Sequence, residues 1–262
     1  MSESSNTVER TLSILEAAAQ SEHGLSNSDI SRRLKIPKSS ASYILRVLER
    51  RGYLLRDTET GKYRLGLKLM SLTRDMLTHI DVREVAKPIM ERFVKTTNLS
   101  SHLAVLDNGR AVYVEKVEAR GFVKMDIWVG HRLPVHSTSI GKVLVSAMTD
   151  DEITDILNLR GMDRITNKTL TTPAKFLKEI EKVRTFGFAI DNEENSDGVR
   201  CVSAPVFDAQ GRIVAALGTS STIMQLNESN LSQTVELIRD CAAKVSEKLG
   251  YQSKMLQTPG FA

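Results

Sequence analysis

Cysteine is scarce in this chain: Cys201 and Cys241 are the two it holds, and they form no CxxC pair. That excludes a disulfide framework, gives a structural zinc site no local ligand spacing, and suits a reducing compartment. Long apolar runs are missing as well, so no membrane span is expected. The opening MSESSNTVERTLSILEAAA has no basic segment followed by a continuous apolar one, which argues against export and for a cytoplasmic location. No low-complexity tract or clear internal repeat is visible. What remains is a chain of 262 residues with an ordinary 41% hydrophobic content, long enough for two globular domains.

Its charge is unevenly placed. Residues 1–74 carry 13 Lys+Arg against 8 Asp+Glu, while the rest carries 23 against 24, so the net charge of +4 is a property of the N-terminal part. Such concentration is what phosphate binding needs, because each neutralised phosphate adds salt-dependent affinity.

The basic part contains GLSNSDISRRLKIPKSSASYILRVLERRGYLLRDTETGKYRL, residues 24–65. Ser26 and Asp29 are placed to cap a helix, with Leu25 stapling to Ile30. The helix must end near Ile36-Pro37, since a residue before proline is pushed out of the helical region and Pro37 suits the first turn of the next helix. That next helix is expected over about 38–51, with Ala41, Ile44, Leu45 and Leu48 on one buried stripe. Lys38, Ser39, Ser40, Ser42, Tyr43 and Arg46 then lie where a recognition helix meets base edges, and Arg32, Lys62 and Arg64 where phosphates are held. Gly52 caps the helix, and Tyr53–Arg56 pairs with Tyr63–Leu65 as a wing. A preceding helix, opened by Asn6 and Glu9, is expected to bury Val8, Leu12, Leu15 and Ala19. The bland alternative is two packed amphipathic helices and a hairpin, with Arg50 and Arg51 answering a helix dipole; the basic charge favours the DNA-binding reading.

Beyond the wing, Leu67, Leu69, Met70, Leu72, Met76 and Leu77 are apolar at more positions than one stripe needs, which invites a partner helix or burial within the chain. A regulator reading a two-fold operator needs at least a dimer. From Asp81 a helix is expected with Val82, Val85, Ala86, Ile89 and Phe93 on one face. Strands 101–106 and 111–117 flank Asp107-Asn108-Gly109-Arg110, a tight-turn signal. A third strand is expected at 122–129, a loop at 130–137, and a helix around 139–148. Thr149 to Glu152 form a capping box, and Thr172-Pro173 opens a helix that Gly187 closes. Strands 199–207 and 212–220 and a helix over about 231–249 complete an α+β domain with an antiparallel sheet.

With these motifs placed, the chain resembles the IclR family of bacterial transcriptional regulators over essentially its full length. The resemblance rests on VERTLSIL, LSNSDISRRLKIPKSSASYILRVLERRGYL, the wing ending YRLGLKL, RLPVHSTSIGKVLVSA, and FAIDNEENSDGVRCVSAPVFDAQGRIVAALGTSS. The tail at 253–262, with Pro259 and Gly260, is expected to be frayed. The resemblance implies a winged helix-turn-helix domain at 1–66, a linker and dimerisation helix at 67–80, and a GAF-like effector domain at 81–252. It also implies DNA as a partner, dimers that often pair into tetramers, repression more often than activation, control by small organic or aromatic acids, and neither catalysis nor a cofactor.

The family's effector pocket falls on Phe122, Met125 and Leu133 as an apolar wall, on Ser139 and Ile140 at a helix start, and on Asp191, Cys201, Gly218 and Ser220. Free N–H groups at that helix start, with the Ser220 hydroxyl, give a carboxylate partners. The chain departs from the pattern in two places. Gly218 stands where many relatives have serine, and Ile140 is bulkier than the residue found with very small acids. Three other readings remain. Cys201 or Ser137 could be a nucleophile with His136 or His102 as base; His136, Asp191 and Cys201 could hold a metal; or the chain could be a constitutive DNA-binding protein, which has no use for a second domain with a pocket.

Overall fold

The computed structural model describes residues 3–72, 81–120 and 127–252. The chain divides into two compact units, residues 1–79 and 80–262.

The first unit comprises α1 (Glu3–Ala19), α2 (Asn27–Leu34), α3 (Lys38–Arg50), and a hairpin of β1 (Leu54–Arg56) and β2 (Tyr63–Leu65). Ser26 and Asp29 form the expected capping box: Ser26 Oγ accepts from the Asp29 amide at 3.2 Å and the Asp29 carboxylate accepts from the Ser26 amide at 3.1 Å. Lys35 ends α2 in the left-handed region, and Pro37 stands one residue ahead of α3 as its cap. Ala41, Ile44, Leu45 and Leu48 are buried as the 3.6-residue period requires, against Ile30, Leu54 and Tyr63. The wing is tied to the segment before α2, because the backbones of Leu25 and Tyr63 exchange hydrogen bonds of 3.0 and 2.8 Å.

The first helix corrects its expectation. Ile14, Ala17 and Ala18 are its buried stripe, whereas Val8 and Leu12 are 59% and 54% exposed and Ala19 is exposed too. Hydrophobicity favoured the larger side chains, but the face that packs is set by the i, i+3, i+4 row whose alanines admit close approach. After β2, residues 68–72 are helical, and Leu67, Met70 and Leu72 are exposed. Met76 and Leu77 lie outside the described residues.

In the second unit α4 (Asp81–Thr97) precedes β3 (Ser100–Asp107), β4 (Arg110–Val117) and β5 (Arg132–Pro134). Then come α5 (Ser139–Val145), α6 (Asp150–Arg160), α7 (Pro173–Phe186), β6 (Ala189–Asn192), β7 (Val199–Phe207), β8 (Ile213–Thr222) and α8 (Glu228–Lys248). The six strands form one antiparallel sheet in the order β5-β4-β3-β8-β7-β6. Asn108 and Gly109, both at positive φ, make the β3–β4 turn. That is the geometry an Asn-Gly pair accepts.

Alternation along the strands sends Leu103, Val202, Ala204, Val206, Ala215 and Leu217 to one face, where they pack on α4 and α8. The opposite face receives Ala104, Tyr113 and Ala216, with Ile140, Val143 and Leu144 of α5 against them. All seven residues of α5 are buried. Gly141 makes that depth possible, since a Cβ there would lie 2.3 Å from Val135 Cα. Outside α5, α6 and α7 close over Val135 and Val145 through Ile153, Leu157, Phe176 and Ile180. The Thr149–Glu152 capping box and the Gly187 close of α7 occur as expected.

The expected third strand is corrected where it is described. Ile127 to Val129 are not strand, and the pairing with β4 is made instead by Arg132 to Pro134, inside the segment read as a loop. Residues 121–126 lie outside the described residues, as do 253–262. The helix expected to reach Met148 ends at Val145, where the Ser146 amide turns back to the Val143 carbonyl.

Candidate nucleic-acid interface and ligand cavity

In the first unit the buried stripe of α3 leaves the opposite face outward. Lys38, Ser39, Tyr43 and Arg46 are exposed, Tyr43 at 61%, and Ser40 and Ser42 are half-buried beside them. Arg32 reaches back to Asp29 at 3.8 Å from an exposed position, which leaves its charge available to a phosphate. On the wing Arg64 is exposed, Lys62 is half-buried, and the Arg56 guanidinium lies 5.8 Å from the Tyr63 ring. Asp57 Oδ1 accepts the amides of Glu59 and Thr60 and fixes the wing tip. All nine residues assigned to DNA from the sequence thus sit on the surface of this unit or at its edge.

In the second unit the sheet face that carries α5 opens into a cavity of about 250 Å³. Leu133, Ser139, Asp191, Cys201 and Ser220, five of the residues anticipated from the sequence, line it. Register explains the convergence: Ser220 on β8 faces Cys201 on β7, which faces Asp191 on β6. Thr138, the N-cap of α5, and Ser139 form one wall. Asn195 and Ser196 in the β6–β7 turn form another.

Two anticipated residues are placed elsewhere. Ile140 packs into the core between α5 and the sheet. Gly218 lies against Ser203, where an added Cβ would stand 2.3 Å from Ser203 Oγ, so a serine at this position would require its neighbours to shift. Ser203 Oγ lies 2.7 Å from Ser139 Oγ. Phe122 and Met125 lie outside the described residues.

The sequence reading missed Tyr113, His131, Ile127, Val199, Thr138, Asn195 and Ser196 as lining residues, and weighed His102 without placing it there. Strand alternation from Ala104 could have found His102. Tyr113 lies opposite Ala104 in the register set by the Asn108-Gly109 turn, so alternation from Ala111 could have found it too; the shift beyond it pairs Glu115 with Leu103, and Glu115 meets Arg83 of α4 at 2.9 Å.

The electrostatics of the cavity follow from burial. Desolvation pushes the Asp191 carboxyl up to about 7, Glu194 adding to the effect against the amide of Glu194, the Lys142 charge and the amide of Asn195. Burial holds His102 neutral, its pKa lowered to about 3 with help from Lys116, and pushes the Cys201 thiol and the Tyr113 phenol up. Lys142 and Glu194 neutralise each other behind the wall at 2.6 Å. No lysine or arginine lines the cavity among the described residues.

The nucleophile readings find no support in these contacts. Ser137 Oγ donates to Asn195 Oδ1 at 2.9 Å, and His136 Nε2 lies 3.1 Å from the Asp163 carbonyl oxygen. His102 Nε2 lies 3.3 Å from Ser220 Oγ, and the half-buried Cys201 has its thiol pushed up by desolvation and so stays protonated. His136 is outside the cavity lining, apart from Asp191 and Cys201.

Comparison with known proteins places both units. Residues 74–247 match the family model for the bacterial transcriptional regulator IclR C-terminal domain, and residues 7–58 match the IclR helix-turn-helix domain. The Escherichia coli K12 HTH-type transcriptional regulator XynR is 34% identical over 245 residues, 94% of this chain and 97% of that one. The HTH-type transcriptional regulator KdgR of the same organism is 32% identical, over 95% of this chain and 94% of its own. Among solved structures, the Thermotoga maritima IclR superposes with a TM-score of 0.79 at 29% identity, covering 94% of this chain and 99% of its own. An IclR homologue from Microbacterium hydrocarbonoxydans, solved in complex with 4-hydroxybenzoate, gives 0.81 at 26% identity, covering 93% and 98%.

Proposed function

The chain belongs to the IclR family of bacterial transcriptional regulators, and from that premise we propose that it is a cytoplasmic repressor of a catabolic operon, released or tightened by a small organic or aromatic acid. It is a helix-turn-helix transcriptional regulator, not an enzyme. The observation that carries the effector reading is the convergence of Ser139, Ser220, Cys201 and Asp191 on one enclosed cavity. At about 250 Å³ the space lies just below the roughly 300–1,000 Å³ of drug-sized sites, which suits a small metabolite. The 4-hydroxybenzoate complex of the Microbacterium homologue supports an acid as the ligand class.

In this reading Lys38, Ser39, Ser40, Ser42, Tyr43 and Arg46 read the major groove, and Arg32, Lys62 and Arg64 hold phosphates. The domains divide as 1–66 for DNA, 67–80 for a pairing linker helix and 81–252 for the effector. Two copies, or a dimer of dimers, meet a near-palindromic operator.

Trp128, the single tryptophan of the chain, provides the test. Its ring stacks on His131, a lining residue, at 3.9 Å between centroids. Aromatic and aliphatic monocarboxylates should change its fluorescence saturably while matched amides bind less tightly. If only neutral or cationic compounds bind, the acid assignment is wrong.

A further inference from the structure

Four strands each present one polar side chain to the cavity; Ser220, Cys201 and Asp191 stand opposite one another in register, and His102 reaches Ser220 diagonally. His102 Nε2 on β3 lies 3.3 Å from Ser220 Oγ on β8, and Ser220 Oγ donates to Cys201 Sγ on β7 at 3.0 Å. Cys201 in turn stands opposite Asp191 in the β6–β7 ladder. Since the single hydroxyl hydrogen of Ser220 goes to sulfur, the imidazole donates to Ser220. Asp191 Oδ1 also accepts the amides of Glu194 at 2.7 Å and Asn195 at 3.3 Å.

Of the two hydroxyls at the start of α5, one is committed and the other is shared. Thr138 Oγ1 donates to the Pro134 carbonyl at 2.8 Å, and Ser139 shares a hydrogen bond with Ser203. A carboxylate only accepts. An acid entering this cavity meets no lining cation among the described residues, and a buried carboxyl that repels it when ionised.

We propose that the cavity takes up its acid effector together with one proton, held on Asp191, so that the bound state is a carboxylic acid and a carboxylate sharing a hydrogen bond. The proton comes from solvent, and no bond of the effector breaks. The inference rests on the acid-effector reading above. Around Asp191, burial and the Glu194 charge favour the protonated carboxyl, while the amides of Glu194 and Asn195 and the Lys142 charge act against it. From α5 Lys142 is paired with Glu194 of the β6–β7 turn. From β7, β4 and β3, Cys201, Tyr113 and His102 are held in neutral forms by burial, and His131 completes the lining. Burial already brings the Asp191 carboxyl to about 7, so near neutrality the proton is nearly free to add.

Calorimetry on the whole chain with benzoate and 4-hydroxybenzoate, in buffers of different ionisation heat, reads the proton directly. Near pH 8 the expected uptake is close to one proton per acid bound, falling toward zero near pH 6, with affinity dropping about tenfold per pH unit above about 7. Asp191→Asn, which retains a donor, should bind both acids with neither proton uptake nor that pH dependence. Equal affinity across the range with no uptake by the parent chain overturns the proposal while leaving the acid-effector reading standing, and so does uptake that persists in Asp191→Asn. If neither acid binds at any pH while neutral analogues do, the acid-effector reading itself fails and takes this proposal with it. Because the uptake measurement uses the parent chain, it stands even if the variant does not fold.

Discussion

Lys142 and Glu194 form an ion pair of 2.6 Å in which the lysine has no exposed surface, and the same ammonium donates to the Ile190 carbonyl at 2.8 Å. The pair fastens α5 to the turn that carries Asn195 and Ser196, so cavity shape depends on it. Removing one partner strands a buried charge, which typically costs about 3–5 kcal/mol. Lys142→Met should lower unfolding stability by that order, and adding Glu194→Gln should recover much of the loss. Urea denaturation of the single and double variants checks this; equal losses in both would show the pair contributes little.

Asp191 and His102 impose opposite pH dependences on stability. The native Asp191 keeps a proton between about pH 4 and 7 that the unfolded chain has released, so its contribution falls as pH rises through that window. His102, with a native pKa of about 3, is neutral where the unfolded chain begins to charge below about 6.5. Its contribution is lost as pH falls from there. Asp191→Asn should therefore flatten the decline toward neutrality and be relatively more stable than the parent near pH 8. An unchanged slope from about pH 5 to 8 in denaturant titrations would contradict the burial argument.

Gly218→Ser tests the packing of the sheet face. With 2.3 Å between the new Cβ and Ser203 Oγ, overpacking should cost about 1–3 kcal/mol, as inserted atoms do in tight cores. A variant as stable as the parent would mean that Ser203 yields freely.

On DNA, Arg46→Ala should lose roughly 1–3 kcal/mol on the preferred sequence and relax discrimination there, if Arg46 reads a base. Lys62→Ala should weaken all sequences alike and reduce the salt slope by about one. Gel-shift titrations at several salt concentrations separate the two patterns.

The exposed Leu67, Met70 and Leu72 should be covered by a second copy, giving at least a dimer and two-fold protection on DNA. Light scattering that finds a monomer, bound to one asymmetric site, would remove this assignment.

Local signals made much of the molecule legible in the sequence. The Ser26–Asp29 and Thr149–Glu152 capping boxes, Asn108-Gly109 and the periodic stripe of α3 are short-range, and each occurs where read. The misses are long-range. Which face of α1 packs depends on its neighbours, and β5 at Arg132 to Pro134 exists through pairing with β4. The cavity divides the same way. Ser220, Cys201 and Asp191 fall on recognisable strands, whereas Asn195 and Ser196 enter from the β6–β7 turn, and a side chain at Gly218 would meet Ser203 and the Val202 carbonyl.

The central claim is that the cavity of the second unit controls DNA binding by the first. Its most direct test is the affinity of the whole chain for a duplex selected from a random pool, measured by fluorescence anisotropy with and without a saturating acid that binds the cavity. Allosteric couplings of about 1–3 kcal/mol predict a shift of roughly five- to a hundred-fold, absent in a variant whose cavity no longer binds the acid. Identical operator affinity with the cavity empty and full would contradict the account.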